Sequence, residues 1–392
     1  MTASAEARAY SGRPGGPLGA GWRKAALHAQ CAELPSGRVV VSCTAERGAG
    51  GLGRHLDEIV AALERGGGEV VCICGSTRTH GTPAQRRAPS HALGLPYLSR
   101  ILRKTPAPVS RGVRVKAFFV EFDAYAARQL PAAEHLIAFN GQALTQFRQA
   151  RRARYASLSL VSANPHLRRL VRQHELARGR YPLEGSWASR LLERNLIEYA
   201  QADRVYHSSR YIRESFLEQG FPEERLAGLP LTPDPRYVPA SGREPSDRFE
   251  IVYVGSLAVH KGVPLLIDAL RRLPHTDIRL RLVGGWATPG MRRFVQRACA
   301  TDRRIEVCPG DPLPHLRAAR LYVHPAYEDG FGYAPAEALA AGVPVLVSED
   351  TGMKELVAPG RNGMILPTGD LETLTETIEA AYRGEILAAG RL

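Results

Sequence analysis

Tyr327-Glu328-Asp329-Gly330-Phe331-Gly332-Tyr333-Ala334-Pro335-Ala336-Glu337-Ala338-Leu339-Ala340-Ala341-Gly342-Val343-Pro344-Val345 carries the most information of any stretch in the chain. It begins with two carboxylates and a Gly-Phe-Gly turn, whose glycines let backbone approach a ligand. Pro335 suits the first turn of a helix, Gly342 stops that helix, and Pro344 leads into a Val-Leu-Val strand. Glu337 falls near the helix start, facing back toward the turn. A carboxylate there favours the helix dipole, which explains Glu337 alone but not the set. Two acidic positions converging on one turn suit a ligand with several hydroxyls, because carboxylates accept strong hydrogen bonds.

Working outward, the same half of the chain alternates short apolar strands with helical spacing. Strands are expected at 249–254, 278–283, 305–308, 321–323 and 345–347, and helices at 264–273, 292–300, 314–319, 335–341 and 371–382. Such alternation predicts a parallel sheet with helices on both faces. Ligands of these sheets bind at the carboxyl ends of strands. After the first strand comes Gly255-Ser256-Leu257-Ala258-Val259-His260-Lys261-Gly262. Its glycines, the N–H groups of the helix that follows and the charge of Lys261 suit a phosphate.

The N-terminal half opens with a Val-rich strand at 38–43, a glycine-rich run, Gly48-Ala49-Gly50-Gly51-Leu52-Gly53, an amphipathic helix at 55–65 and a second strand at 69–74. That is the opening of a Rossmann-type unit. Further strands are expected at 135–139, 157–161 and 205–209, with helices around 148–154, 189–201 and 211–219. Residues 76–135 show little periodicity. Residues 229–245 hold five prolines and read as the domain boundary. The division is a flexible lead-in over 1–35, an N-terminal domain over 36–240 and a C-terminal domain over 246–392.

Six scattered cysteines have no zinc-ligand spacing and read as buried thiols, which suits a reducing cytoplasm. No apolar run approaches a membrane span. The net charge of +13 favours anionic partners. The Arg-rich segments 100–116, 148–154 and 166–180 are poor in stacking aromatics, which argues against nucleic acid and is compatible with peripheral contact with an anionic membrane at its inner face. Glu193, Glu198 and Asp203 read as structural.

The 327–345 segment resembles the signature of the retaining glycosyltransferases of family 4 (glycosyl transferases group 1), whose fold is GT-B: two Rossmann-like α/β domains facing across a deep cleft. The family motif has two acidic residues separated by seven, matched by Asp329 and Glu337, with Glu328 as an alternate first member. The resemblance implies that Glu337 holds the nucleotide ribose and Asp329 contacts the donor sugar, with Gly330, Phe331 and Gly332 shaping the turn. It places Lys261 on the diphosphate, with Gly255 and Ser256 beside it, and sets Gly50 and Gly51 where relatives approach donor and acceptor. His166, after the strand at 157–161, would face the cleft near the reacting carbon. The implied activity is metal-independent, retaining hexosyl transfer from a UDP- or GDP-sugar to a glycan, lipid-linked or small-molecule acceptor, in polysaccharide or glycoconjugate biosynthesis, with no cofactor. Two departures stand out. Many relatives carry Arg at the position of Ser256, so a second positive charge must come from elsewhere or be absent, and the helix that returns to the N-domain is short or missing. The alternatives are a GT-B epimerase or phosphorylase and a non-catalytic binder of nucleotide sugars or anionic surfaces.

Overall fold

The structure, a computed structural model, describes residues 33–75, 86–87, 111–185, 187–239 and 248–387. Nearly all of the 1–35 lead-in, Cys31, most of the Arg-rich 100–116 segment and the junction at 240–247 lie outside the described residues.

The N-terminal unit runs β1 (Arg38–Cys43), α1 (Gly50–Arg65), β2 (Glu69–Cys74), β3 (Arg86–Arg87), α2 (Arg111–Gln129), β4 (His135–Phe139), α3 (Leu144–Arg152), β5 (Ser157–Ser162), α4 (Leu167–Arg180), α5 (Leu192–Gln201), β6 (Arg204–His207), α6 (Arg210–Leu217) and β7 (Leu226–Gly228). The C-terminal unit runs β8 (Phe249–Val254), α7 (Val263–Arg272), β9 (Ile278–Val283), α8 (Pro289–Thr301), β10 (Ile305–Cys308), α9 (Pro312–Ala318), β11 (Leu321–His324), α10 (Tyr333–Ala340), β12 (Val345–Ser348), β13 (Gly363–Leu366) and α11 (Leu371–Tyr382). Short 3₁₀ turns at Ala188–Leu191 and Gly352–Leu356 complete the parts that matter for the site.

The strands form two sheets, in the orders β3-β2-β1-β4-β5-β6-β7 and β10-β9-β8-β11-β12-β13, with every pairing parallel. Parallel strands covered on both faces need continuous apolar sequence. Val39, Val40 and Val41 in β1 and Val345, Leu346 and Val347 in β12 are accordingly inaccessible to solvent. The order reverses between β1 and β4 and again between β8 and β11, so each sheet opens a crevice at the carboxyl ends of those strands. The sequence reading of two doubly wound domains holds.

Several elements differ from expectation. The glycine run is not a loop ahead of the helix: α1 already begins at Gly50, its first turn closed by Gly53 N–H donating to the Ala49 carbonyl at 3.2 Å. The strands β3, β7 and β13 and the helix α2 were not anticipated; they are short or basic, and their pattern is set by what they pack on. Leu231 and Tyr237 are buried in the C-terminal core, so packing on that domain begins within the proline-rich 229–245 stretch. In the same way, Ala177 and Tyr181 from the end of α4 join the core around α7 and α11. Cys43, Cys72, Cys74 and Cys308 are buried free thiols, and Cys299 is partly covered.

Gly262 joins the β8 loop to α7 with φ +71°, and a Cβ there would overlap the carbonyl oxygen of Pro325 just beyond β11. Both the left-handed backbone and the close approach demand glycine. Gly262→Ala is expected to destabilise the protein by about 2 kcal/mol or more, measurable as a lower urea midpoint. An unchanged midpoint would mean the β8–α7 junction is not packed in this way.

Candidate functional site

The crevice between β8 and β11 is organised around one ammonium. Lys261, one residue before the Gly262 cap of α7, donates to the Glu328 carbonyl at 3.0 Å. Its Nζ lies 3.1 Å from Asp329 Oδ2 and 3.7 Å from Glu328 Oε1. On the other side of Asp329, His324 at the end of β11 places Nε2 3.0 Å from the same Oδ2. Burial by itself would raise the Asp329 carboxyl, but Lys261 and then His324 hold it well below the ordinary carboxylate range. Glu328 is likewise kept below its usual value against burial, by Lys261 with help from His174. Lys261 in turn is raised, because its two carboxylates outweigh its desolvation.

The Gly-Phe-Gly turn is pinned by backbone bonds: Asp329 N–H to Asp350 O at 2.9 Å, Gly352 N–H to Asp329 O at 2.8 Å and Met353 N–H to Phe331 O at 2.6 Å. From there α10 carries Glu337 back beneath the turn, only 4% exposed.

The N-terminal domain closes directly on this turn. A Cβ on Gly330 would overlap the carbonyl of Ala163, after β5, so the two backbones touch. Ser209, ahead of α6, donates its hydroxyl to the Gly330 carbonyl at 2.6 Å. Arg54 of α1 pairs with Glu337, and its guanidinium lies 4.2 Å from the centre of the Tyr333 ring. Tyr333 donates to Glu58 Oε1 at 2.8 Å. Burial raises the Glu337 carboxyl and Arg54 opposes it.

The sequence-predicted residues therefore separate. Lys261, Glu328, Asp329, Gly330, Phe331, Gly332 and Glu337 come together, with Gly255 and Ser256 at the end of β8; Ser256 is exposed and its carbonyl accepts from Tyr253 Oη at 2.9 Å. A Cβ on Gly51 would lie 3.5 Å from the Tyr333 ring, so that glycine faces the motif, whereas Gly50 has nothing within 4 Å.

His166 is the correction. It caps α4, with Nδ1 accepting from Arg168 N–H at 3.3 Å and its own N–H donating to Ser215 Oγ at 2.7 Å. Its ring packs on Tyr199 and Phe216, at 4.9 and 5.1 Å between centroids. It is a covered structural residue, and the backbone of Ala163, earlier in the same turn, meets the motif instead.

Sequence reasoning missed His174 and Arg54. His174, two turns along α4, stacks on His260 at 4.4 Å and places Nε2 3.7 Å from Glu328 Oε1. Among the described residues His174, His260 and Glu328 have ligand-capable atoms within 4.8 Å of one another, although the Lys261 ammonium already approaches that carboxylate. Next to them Gln173 Nε2 donates to Asp350 Oδ2 at 2.8 Å. Arg54 supplies a second cation beside the motif, on the opposite domain from Ser256. The structural reading of Glu198 and Asp203 holds: Glu198 accepts from the N–H groups of Gly141, Ala143 and Leu144, and Asp203 accepts from Leu158 N–H.

Residues 238–389 match the family model described as glycosyl transferases group 1. That match spans the C-terminal unit, which is thus similar to the group 1 glycosyl transferases. O-antigen chain mannosyltransferase B of Escherichia coli is 27% identical over 175 residues, 40% of this chain and 45% of that protein. The chain thus spans less than half the length of that relative. D-inositol 3-phosphate glycosyltransferase of Nocardia farcinica is 27% identical across 81% of this chain and 74% of its own. Two solved structures share the GT-B fold. Sucrose-phosphate synthase of Thermosynechococcus elongatus has a TM-score of 0.67 at 20% identity, covering 89% of this chain and 90% of that one. HepE of Anabaena in complex with UDP-glucose has a TM-score of 0.61 at 18% identity, with 89% and 90% covered. The group 1 match begins at 238, near the point where Tyr237 enters the C-terminal core.

Burial pushes His166 down to about 4, with Arg168 adding to it, and burial also takes His55 to about 3 and His207 to about 4. These folded values lie below the unfolded ~6.5. Stability is therefore full above pH ~6.5 and is lost as the pH falls toward 4, where the unfolded state binds the extra protons. The urea midpoint is expected to drop across that window. His166→Asn keeps a capping side chain and removes one titration, so its slope should be shallower with nucleotide binding unchanged. Loss of sugar transfer with stability and nucleotide binding intact would instead return His166 to a catalytic role.

Proposed function

We propose that this protein transfers a hexosyl group from a UDP- or GDP-sugar to an acceptor hydroxyl in polysaccharide, glycolipid or related glycoconjugate assembly, with retention of anomeric configuration and without a metal or other cofactor. The observation that carries the reading is the Lys261–Glu328–Asp329 cluster at the crevice of the C-terminal unit, with the other domain closed on its turn. Lys261 and the N-terminus of α7 would face the diphosphate, Asp329 the donor sugar and Glu337 the ribose hydroxyls. In the reaction the bond between the anomeric carbon and the diphosphate oxygen breaks with its electron pair leaving on the diphosphate. A new bond to the acceptor oxygen forms, and the acceptor proton departs with the nucleoside diphosphate or to solvent. A preorganised cation stabilises charge growing on the leaving group, and domain closure excludes water from the donor. UDP-glucose bound to HepE, on the same fold, supports a nucleotide-sugar donor.

Two features bear on where it works. No helix among the described residues is long and apolar enough to cross a membrane. The helix α2 exposes Val113, Phe118 and Val120 beside Lys116, which would suit peripheral contact with an anionic membrane.

Calorimetric titration of UDP and GDP in turn should show tight binding of one of them, weakened about tenfold or more by Glu337→Ala. Binding of neither nucleotide to the folded protein would overturn the reading. Transfer should persist in EDTA. Its loss there, restored by a divalent cation, would contradict metal independence and turn attention to His174, His260 and Glu328.

A further inference from the structure

Arg54 is held by the carboxylate that the ribose of a donor would use. It stands one turn into α1, its side chain 26% exposed, and pairs with Glu337 on α10 of the other domain. Its guanidinium also lies over the Tyr333 ring, which Gly51 approaches from the same helix. One carboxylate and one aromatic face thus fold Arg54 down onto the start of α10.

Among the described residues, the other charges around this pair are engaged. Glu58, one turn further along α1, accepts from Tyr333 Oη at 2.8 Å on Oε1 and from Thr232 N–H at 3.0 Å on Oε2. Arg236, whose charge also lowers the Glu337 carboxyl, sits 3.0 Å from Asp311 and donates to Tyr237 Oη at 2.8 Å. Lys261, at the other end of the turn, faces Asp329 and Glu328. A guanidinium displaced from Glu337 would therefore meet carboxylates that already have partners. A partly buried cation that loses its anion costs free energy unless another anion takes its place. The first turn of α1 has no acidic residue and no side-chain cap, so an anion entering beside Arg54 also meets open N–H groups.

Resting on the transferase reading, in which Glu337 takes the ribose hydroxyls, we infer that Arg54 sets the specificity of the donor site for phosphorylated nucleosides. Its pairing with Glu337 disfavours a bare nucleoside, which would displace the guanidinium and offer it nothing. A nucleoside diphosphate displaces it and supplies the anion that receives it. On donor binding the ribose hydroxyls donate to Glu337 in place of Arg54, and the guanidinium turns onto the diphosphate. Arg54 comes from the N-terminal domain and Lys261 from the C-terminal one, so the diphosphate is then held from both sides of the cleft.

The test is calorimetric titration of the full chain with uridine, UDP, guanosine and GDP, compared with Arg54→Met, which keeps an apolar stem against the Tyr333 ring. For the base that binds, Arg54→Met should tighten the nucleoside about fivefold and weaken the diphosphate about tenfold. The opposite signs decide the matter, because a guanidinium that only held Glu337 in place would weaken both ligands when removed. A second measurement needs no variant. Saturating inorganic pyrophosphate should tighten nucleoside binding to the native protein about fivefold, by giving the displaced Arg54 an anion, and this coupling should vanish in Arg54→Met. Parallel changes in nucleoside and diphosphate affinity overturn the inference. So does pyrophosphate that leaves nucleoside binding unchanged or weakens it, or a coupling that survives in Arg54→Met. The two readings fail separately. UDP or GDP binding accompanied by any of those outcomes removes the role of Arg54 and leaves the donor site standing. Binding of neither nucleotide removes the transferase reading, and the role of Arg54 with it.

Discussion

The Lys261 ammonium sits largely buried between Glu328 and Asp329, and a charge taken out of water is tolerated only when it is paired and hydrogen-bonded. That condition ties together parts far apart in sequence. Lys261 reaches its place because Gly262 turns the chain against Pro325, beyond the end of β11. The carboxylates reach theirs because the Gly-Phe-Gly turn is held by bonds to Asp350, Gly352 and Met353. His324 holds the same Asp329 oxygen that Lys261 approaches. Removing the ammonium would leave two buried carboxylates in mutual repulsion, so the cluster stands or falls as a unit.

The second constraint runs between domains. Arg54 pairs with Glu337 across the cleft, Ser209 holds the Gly330 carbonyl, Gln173 bonds to Asp350, and Tyr181 donates to Asp268 at 2.7 Å. Closure thus includes polar contacts of the sort that can exchange with a ligand, beside the apolar packing of Ala177 and Tyr181. A ribose on Glu337 would replace the guanidinium of Arg54, freeing a cation at the mouth of the donor site. Donor entry and the Arg54 contact would then compete for one carboxylate.

Much of this was legible in the sequence, and the reasons for the exceptions are physical. Strands such as Val345–Ser348 are buried on both faces, so their composition declares them. The spacing of Asp329 and Glu337 around a glycine turn locates the site because loop, helix start and strand are contiguous there. His166 misled because it follows a strand end, where ligands gather; Pro165 intervenes, and the ring turns back onto Tyr199 and Phe216 as a helix cap. His174 and Arg54 carry no local signal. One lies mid-helix among arginines and the other within the glycine-led helix, and each acquires its partner only through the approach of the other domain. Short strands such as β13 have too few residues to show a period and are defined by the edge they pair with.

The central claim is that the Lys261 cluster is the donor diphosphate site of a glycosyltransferase. The most direct test is the rate of sugar transfer from the nucleotide sugar that binds, compared between the native protein and Lys261→Ala under saturating donor, with folding checked by circular dichroism. The account predicts a fall of about 10²–10³ in rate, the range seen when one preorganised charge-stabilising donor is removed. A folded Lys261→Ala protein that transfers sugar at the native rate would contradict it.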